Sequence, residues 1–94
     1  MTDVFDALAT PARRAIVEEL TERDGQSLFE LCARLTMKHK LTLSRQAISQ
    51  HLDVLEAAGL VSTKRQGRCK LHYLHLAPLQ AAVNRWLKRH SKQK

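Results

Sequence analysis

The chain has 94 residues, 44% of them hydrophobic but only 4% aromatic, and a formal charge of +7 at neutral pH. That length suits one small domain over 1–94 with a modest core of Leu, Val, Ile and Ala. The charge points to a polyanionic partner, nucleic acid before an anionic membrane surface, while two distant cysteines exclude a disulfide framework or a closed zinc site.

No apolar run approaches the roughly 18 residues of a membrane span, so no membrane partner is expected. MTDVFDALATPARR does not read as a signal peptide, so a cytoplasmic protein with reduced thiols is expected. Val4 to Leu8 reads as a short helix with Val4, Phe5 and Leu8 on one face. Thr10-Pro11 is a helix start, Thr as cap and Pro at the first helical position. That helix carries Ala12, Ala15, Ile16 and Leu20 and stops near Asp24-Gly25. Ser27, with Glu30 three residues later, is a capping box opening a third helix whose core face is Leu28, Leu31 and Leu35. Thr36 to Leu43 (TMKHKLTL) exceeds the turn of a minimal helix-turn-helix. It either prolongs the third helix or forms an ordered loop.

A fourth helix spans Ser44 to Ala58. Ser44 caps it, Ile48, Leu52 and Leu55 form its buried stripe, and Gly59 ends it. Val61 to Gln66 and Lys70 to Leu76 alternate as two strands around the turn Gln66-Gly67-Arg68-Cys69. After Ala77-Pro78 a last helix carries Leu79, Ala82, Val83, Trp86 and Leu87. The basic tail, Lys88 to Lys94, is expected to fray. The fold class is mainly α with a small β-hairpin, in the order α-α-α-α-β-β-α: a winged helix-turn-helix.

This layout points to double-stranded DNA. Arg45, Gln46, Ser49 and Gln50 lie off the buried stripe in the first two turns of the fourth helix, where side chains reach base edges in a major groove. Gln pairs with adenine and Arg with guanine through two hydrogen bonds, each pair giving roughly 1–3 kcal/mol of discrimination. Arg45 is expected on a base or on phosphate. Ala47 either touches a thymine methyl or packs within the protein. His51 is expected to support the helix or donate to phosphate rather than read a base. Ser44 serves as cap and phosphate neighbour. Lys64, Arg65, Arg68 and Lys70 flank one turn and are the main phosphate candidates. Lys38, Lys40 and Arg13 are weaker ones. A homodimer would present two reading helices about 34 Å apart. Phe5, Leu8, Leu79, Val83, Trp86 and Leu87 are its candidate interface, because the two terminal helices are too apolar for one small domain to cover both. An intrachain core role is the alternative for some of them.

No nucleophile–base pair, phosphate loop or paired-carboxylate motif stands out, so an enzyme is not expected. A protein-interaction module would not need four wing cations. Non-specific DNA coating would not need Gln46 and Gln50. Double-stranded RNA has a major groove too deep and narrow for this helix.

ALATPARRAIVEEL, SRQAISQHLDVLEAAGLV and GRCKLHYL together resemble the ArsR family of bacterial winged-helix repressors, across nearly the whole chain. The resemblance implies a homodimeric transcription factor that pairs through its first and last helices. It also implies binding of an imperfect palindrome in or near a promoter, usually as repression. Metal-sensing relatives carry paired thiolates on the helix before the reading helix, or His and carboxylate pairs on the last helix. Here Cys32 in FELCARL lacks a second Cys two residues away, and no carboxylate lies between His75 and His90. No metal and no cofactor are therefore expected, and the effector is left open. Two lesser alternatives remain: an unusual site joining Cys69 to His72, His75 or His39, and an oxidation-sensitive Cys69 thiol beside Arg68 and Lys70, whose charges favour thiolate.

Overall fold

The structure, a computed structural model, describes residues 3–91, without the side chains at 90 and 91. The His90 side chain, a candidate ligand, and the last three tail residues lie outside what the structure describes. The elements are α1 (Val4–Ala7), α2 (Pro11–Glu22), β1 (Gln26–Ser27), α3 (Leu28–His39), α4 (Arg45–Ala57), β2 (Val61–Gln66), β3 (Cys69–Leu74) and α5 (Ala77–Ser91).

Each of the first four helices begins where a side chain satisfies a free backbone N–H. Asp3 accepts from Phe5 N, and Thr10 Oγ1 accepts from Arg13 N at 3.2 Å with Pro11 following. Ser27 and Glu30 exchange hydrogen bonds in a full capping box, at 3.1 and 3.2 Å. The bond from the Ser27 backbone holds the Glu30 carboxyl below its ordinary range. Ser44 Oγ accepts from Ala47 N at 3.1 Å. At the far end of α4, Gly59 takes φ +78°, a left-handed conformation open to glycine.

Ile16, Leu20, Leu31, Leu35, Ile48, Leu55 and Leu60 are fully buried where α2, α3 and α4 meet. Leu8 and Leu79 pack against this core. Both are half-buried, so the intrachain alternative accounts for part of each side chain and the rest stays available to a second subunit.

The sheet has three strands, not two, in the antiparallel order β1-β3-β2. Gln26 and Ser27 pair with His72 and Leu71, so the α2–α3 connection forms one edge of the wing. Asp24 Oδ1 accepts from Leu74 N at 2.8 Å, and Gly25 N donates to the His72 carbonyl at 2.9 Å. A two-residue strand has too little alternation to be read from sequence. The third strand starts at Cys69 and ends at Leu74 rather than running from Lys70 to Leu76. The His75 N–H still reaches the Leu60 carbonyl at 2.8 Å, but Leu76 lies past the sheet.

The Thr36–Leu43 segment combines its two readings: α3 continues to His39, and a loop follows. Lys40 turns the chain at φ 54°, and Leu41 N donates to the Leu35 carbonyl at 3.0 Å. The cause of the longer helix lies on α2. Glu19 is fully buried there, and its carboxylate meets Arg34 and His39 at 3.4 Å and Lys38 at 3.8 Å. Lys38 also reaches Glu22 at 3.2 Å. Lys38 and His39 of α3's last turn are thus drawn toward α2, which keeps that turn wound.

A left-handed φ costs a non-glycine residue about 1–2 kcal/mol. Lys40→Gly is therefore expected to leave folding stability unchanged or raise it by up to about 1 kcal/mol, while any DNA contact of the Lys40 charge is lost. Urea unfolding beside a salt titration of DNA binding checks both halves. Clear destabilisation would mean that the lysine stem packs and matters there.

Candidate nucleic-acid interface

The stripe Ile48, Leu52 and Leu55 turns one side of α4 into the core and leaves Arg45, Gln46 and Gln50 exposed at its capped start. Ser49, Ala47 and His51 are half-buried beside them. The acidic residues of α4, Asp53 and Glu56, stand in its later turns. The first two turns are therefore polar and cationic, with backbone N–H groups at the helix start adding positive character.

Arg13 is engaged within the protein, which weakens it as a phosphate candidate. Its Nε donates to the Ala7 carbonyl at 2.6 Å and its Nη2 to the Asp6 carbonyl at 3.3 Å. Its Nη1 lies 3.2 Å from His51 Nδ1. A guanidinium only donates, so His51 Nδ1 accepts and the ring proton sits on Nε2. Partial burial, and then the Arg13 charge, push the His51 pKa below its ordinary value. With Nδ1 accepting from Arg13, the His51 ring keeps Nε2–H as its one donor, and Arg13 ties α1 to α4. The sequence held no signal for this pair, 38 residues apart.

Strand register separates the wing cations. Arg65 lies directly opposite Lys70, on one face with Thr63 and His72. Lys64 pairs with Leu71 on the other face, and Arg68 sits in the tight turn after Gly67. All four are exposed. Like charges facing across strands are destabilising by themselves, and an anion between Arg65 and Lys70 removes that penalty. Lys38 is engaged by Glu19 and Glu22, which weakens it as a phosphate candidate, whereas Lys40 is exposed.

A site joining Cys69 to histidines is not assembled. His72 is buried with Nδ1 2.9 Å from the Gln26 carbonyl oxygen, and His75 Nε2 lies 2.6 Å from Ser62 Oγ. His39 is held between Glu18 and Glu19. Among the described residues no group of three His, Cys, Asp or Glu could hold a metal ion. Cys69 is exposed, and burial raises the pKa of the half-buried Cys32 thiol.

Phe5 (50% exposed), Trp86 (57%) and Leu87 are exposed, and Val83 is half-buried. Phe5 and Trp86 line a hollow of about 350 Å³. No helix among the described residues is long and apolar enough to cross a membrane.

Residues 8–63 match a helix-turn-helix domain family. The chain is 43% identical over 84 residues to the uncharacterized HTH-type transcriptional regulator YuzN of Bacillus subtilis, covering 89% of this chain and 91% of that protein. It is 31% identical to the transcriptional repressor SdpR of the same organism, over 93% of this chain and 88% of the other. The solved ArsR-like transcriptional regulator from Rhodococcus sp. RHA1 superposes with a TM-score of 0.79 at 37% identity, covering 96% of this chain and 75% of that one. A capped reading helix, a basic β-hairpin and these relatives agree: the chain belongs to the ArsR family of winged helix-turn-helix DNA-binding transcriptional regulators, and it is not an enzyme.

Proposed function

We propose that the protein is a cytoplasmic homodimeric repressor that binds a palindromic operator, with α4 in the major groove and the β2–β3 wing on the flanking backbone. The observation that carries this reading is the exposed polar start of α4, with Arg45, Gln46 and Gln50 beside a stripe that is fully committed to the core. Gln46 and Gln50 read bases, with Ser49 and Ala47 at the same surface. Ser44, His51 Nε2, Lys40, Lys64, Arg65, Arg68 and Lys70 meet phosphates. Phe5, Trp86, Leu87 and Val83 pair the two subunits. The likeness to SdpR, a transcriptional repressor, supports repression as the output.

Fluorescence anisotropy on duplex DNA from upstream of the protein's own gene, beside a scrambled duplex, tests the proposal. Operator binding is expected to survive near-physiological salt, while scrambled binding is erased, because non-specific affinity is almost wholly electrostatic. Gln46→Ala with Gln50→Ala is expected to remove roughly 1–3 kcal/mol of operator preference per lost base pair contact, leaving scrambled binding unchanged. Equal binding to both duplexes by the wild type would favour non-specific coating instead.

A further inference from the structure

We infer that Phe29 is a positioning residue that holds Arg45 on a backbone phosphate rather than on a base. Resting on the DNA-binding reading above, this decides between the two roles open to Arg45.

Three observations carry it. Phe29 is 68% exposed with Arg45 in place, so its ring stands at the surface of α3 and is not part of the core. The Arg45 guanidinium carbon lies over that ring, 5.8 Å from its centroid. The Arg45 charge also acts on the Cys32 thiol, one turn along α3. So the first side chain of the reading helix leans back along α3. It closes one side of a groove of about 340 Å³ that Phe29, Cys32, Ala33, Thr36 and Met37 line.

In a helix-turn-helix the reading helix enters the groove, and the helix before it crosses the sugar–phosphate backbone. An arginine held against α3 therefore stands on the backbone side, away from the base edges that Gln46 and Gln50 reach. A guanidinium placed over a ring face keeps its in-plane N–H donors free, and those are the donors that bind a phosphate oxygen pair. The ring contact removes rotamer freedom from a long side chain before DNA arrives.

The test is a double-mutant cycle read on DNA binding. Wild type, Phe29→Ala, Phe29→Leu, Phe29→Tyr, Arg45→Gln and the Phe29→Ala/Arg45→Gln pair are titrated against the operator, a panel of single-base-pair variants and a scrambled duplex, over a range of salt. Thermal unfolding confirms that each is folded, as the exposure of both side chains leads one to expect. Arg45→Gln is expected to weaken all duplexes alike and to flatten the log–log salt slope by about 0.9. Phe29→Ala is expected to cost about two- to fivefold in affinity. Leu, which keeps apolar bulk without a π face, should behave like Ala, and Tyr should restore binding. With Arg45→Gln already present, Phe29→Ala should cost nothing further.

Two results overturn the inference. One is an Arg45→Gln loss confined to a single base pair of the panel, which makes Arg45 a base reader. The other is a Phe29→Ala loss that persists undiminished with Arg45→Gln. Failure of the wild type to prefer its operator would instead count against the regulator proposal. The salt slope and the cycle on scrambled DNA would still report on Phe29 and Arg45.

Discussion

Trp86→Glu is expected to turn the proposed dimer into monomers and to lower operator affinity by about 10²–10⁴-fold. The magnitude is that of losing the second, tethered half-site contact, since one subunit's helix reads only a few base pairs. α5 buries Ala82 and packs Leu79 against the core, yet leaves Trp86 and Leu87 half-exposed beside Phe5 of α1. Large aromatic side chains at the end of a small domain mark a surface meant for a partner. Trp is also the residue type most enriched among those that dominate interface energy. A carboxylate there must be desolvated to pair, and Phe5 faces the same hollow. The fold should survive, because the indole is exposed in the single subunit. Light scattering coupled to size exclusion reads the mass, and anisotropy reads the affinity. A Trp86→Glu protein that stays dimeric with unchanged operator affinity would place the pairing surface elsewhere.

Glu19→Ala is the second large effect, on stability: an expected loss of about 2–3 kcal/mol, measured from urea midpoints at constant slope. Removing one partner of a buried ion pair typically costs roughly 3–5 kcal/mol, because the other charge is left buried. Here Arg34, Lys38 and His39 each keep some exposure and can turn to water, which reduces the cost. Glu19 Oε1 has no hydrogen-bond partner among the described residues, so the carboxylate is held by charge more than by geometry. Glu19→Leu should therefore recover much of the loss, since apolar packing often replaces a buried ion pair without penalty. Its effect should instead appear in the last turn of α3, where Lys38 and His39 lose their anchor and hydrogen exchange quickens. A Glu19→Ala change within about 0.5 kcal/mol of wild type would show that the cluster contributes little.

Much of the fold was legible because its signals are local. Thr10-Pro11, the Ser27–Glu30 box, Ser44 and Gly59 act on backbone groups within four residues, so each marks a helix end wherever the rest of the chain goes. The stripe Ile48, Leu52 and Leu55 fixes which side of α4 is buried, and so which residues are left exposed at its start. Those residues were named from spacing alone.

Tertiary structure decided whatever depends on which distant residues meet. Register set Arg65 directly opposite Lys70 and Lys64 opposite Leu71, a pairing that a list of four cations conceals. β1 exists because Gln26 and Ser27 find β3, 45 or so residues on, not because of any preference of their own. Arg13 was drawn from the phosphate candidates to the Ala7 carbonyl and His51, and Lys38 to Glu19 and Glu22. Leu8 and Leu79 packed against the core, while Phe5 and Trp86 stayed exposed. The sequence by itself determined the helices, their buried faces and the chemistry offered to DNA. Only the packed chain decided which charges were already satisfied and which remained for a ligand, because long side chains take the partners that folding places within their reach.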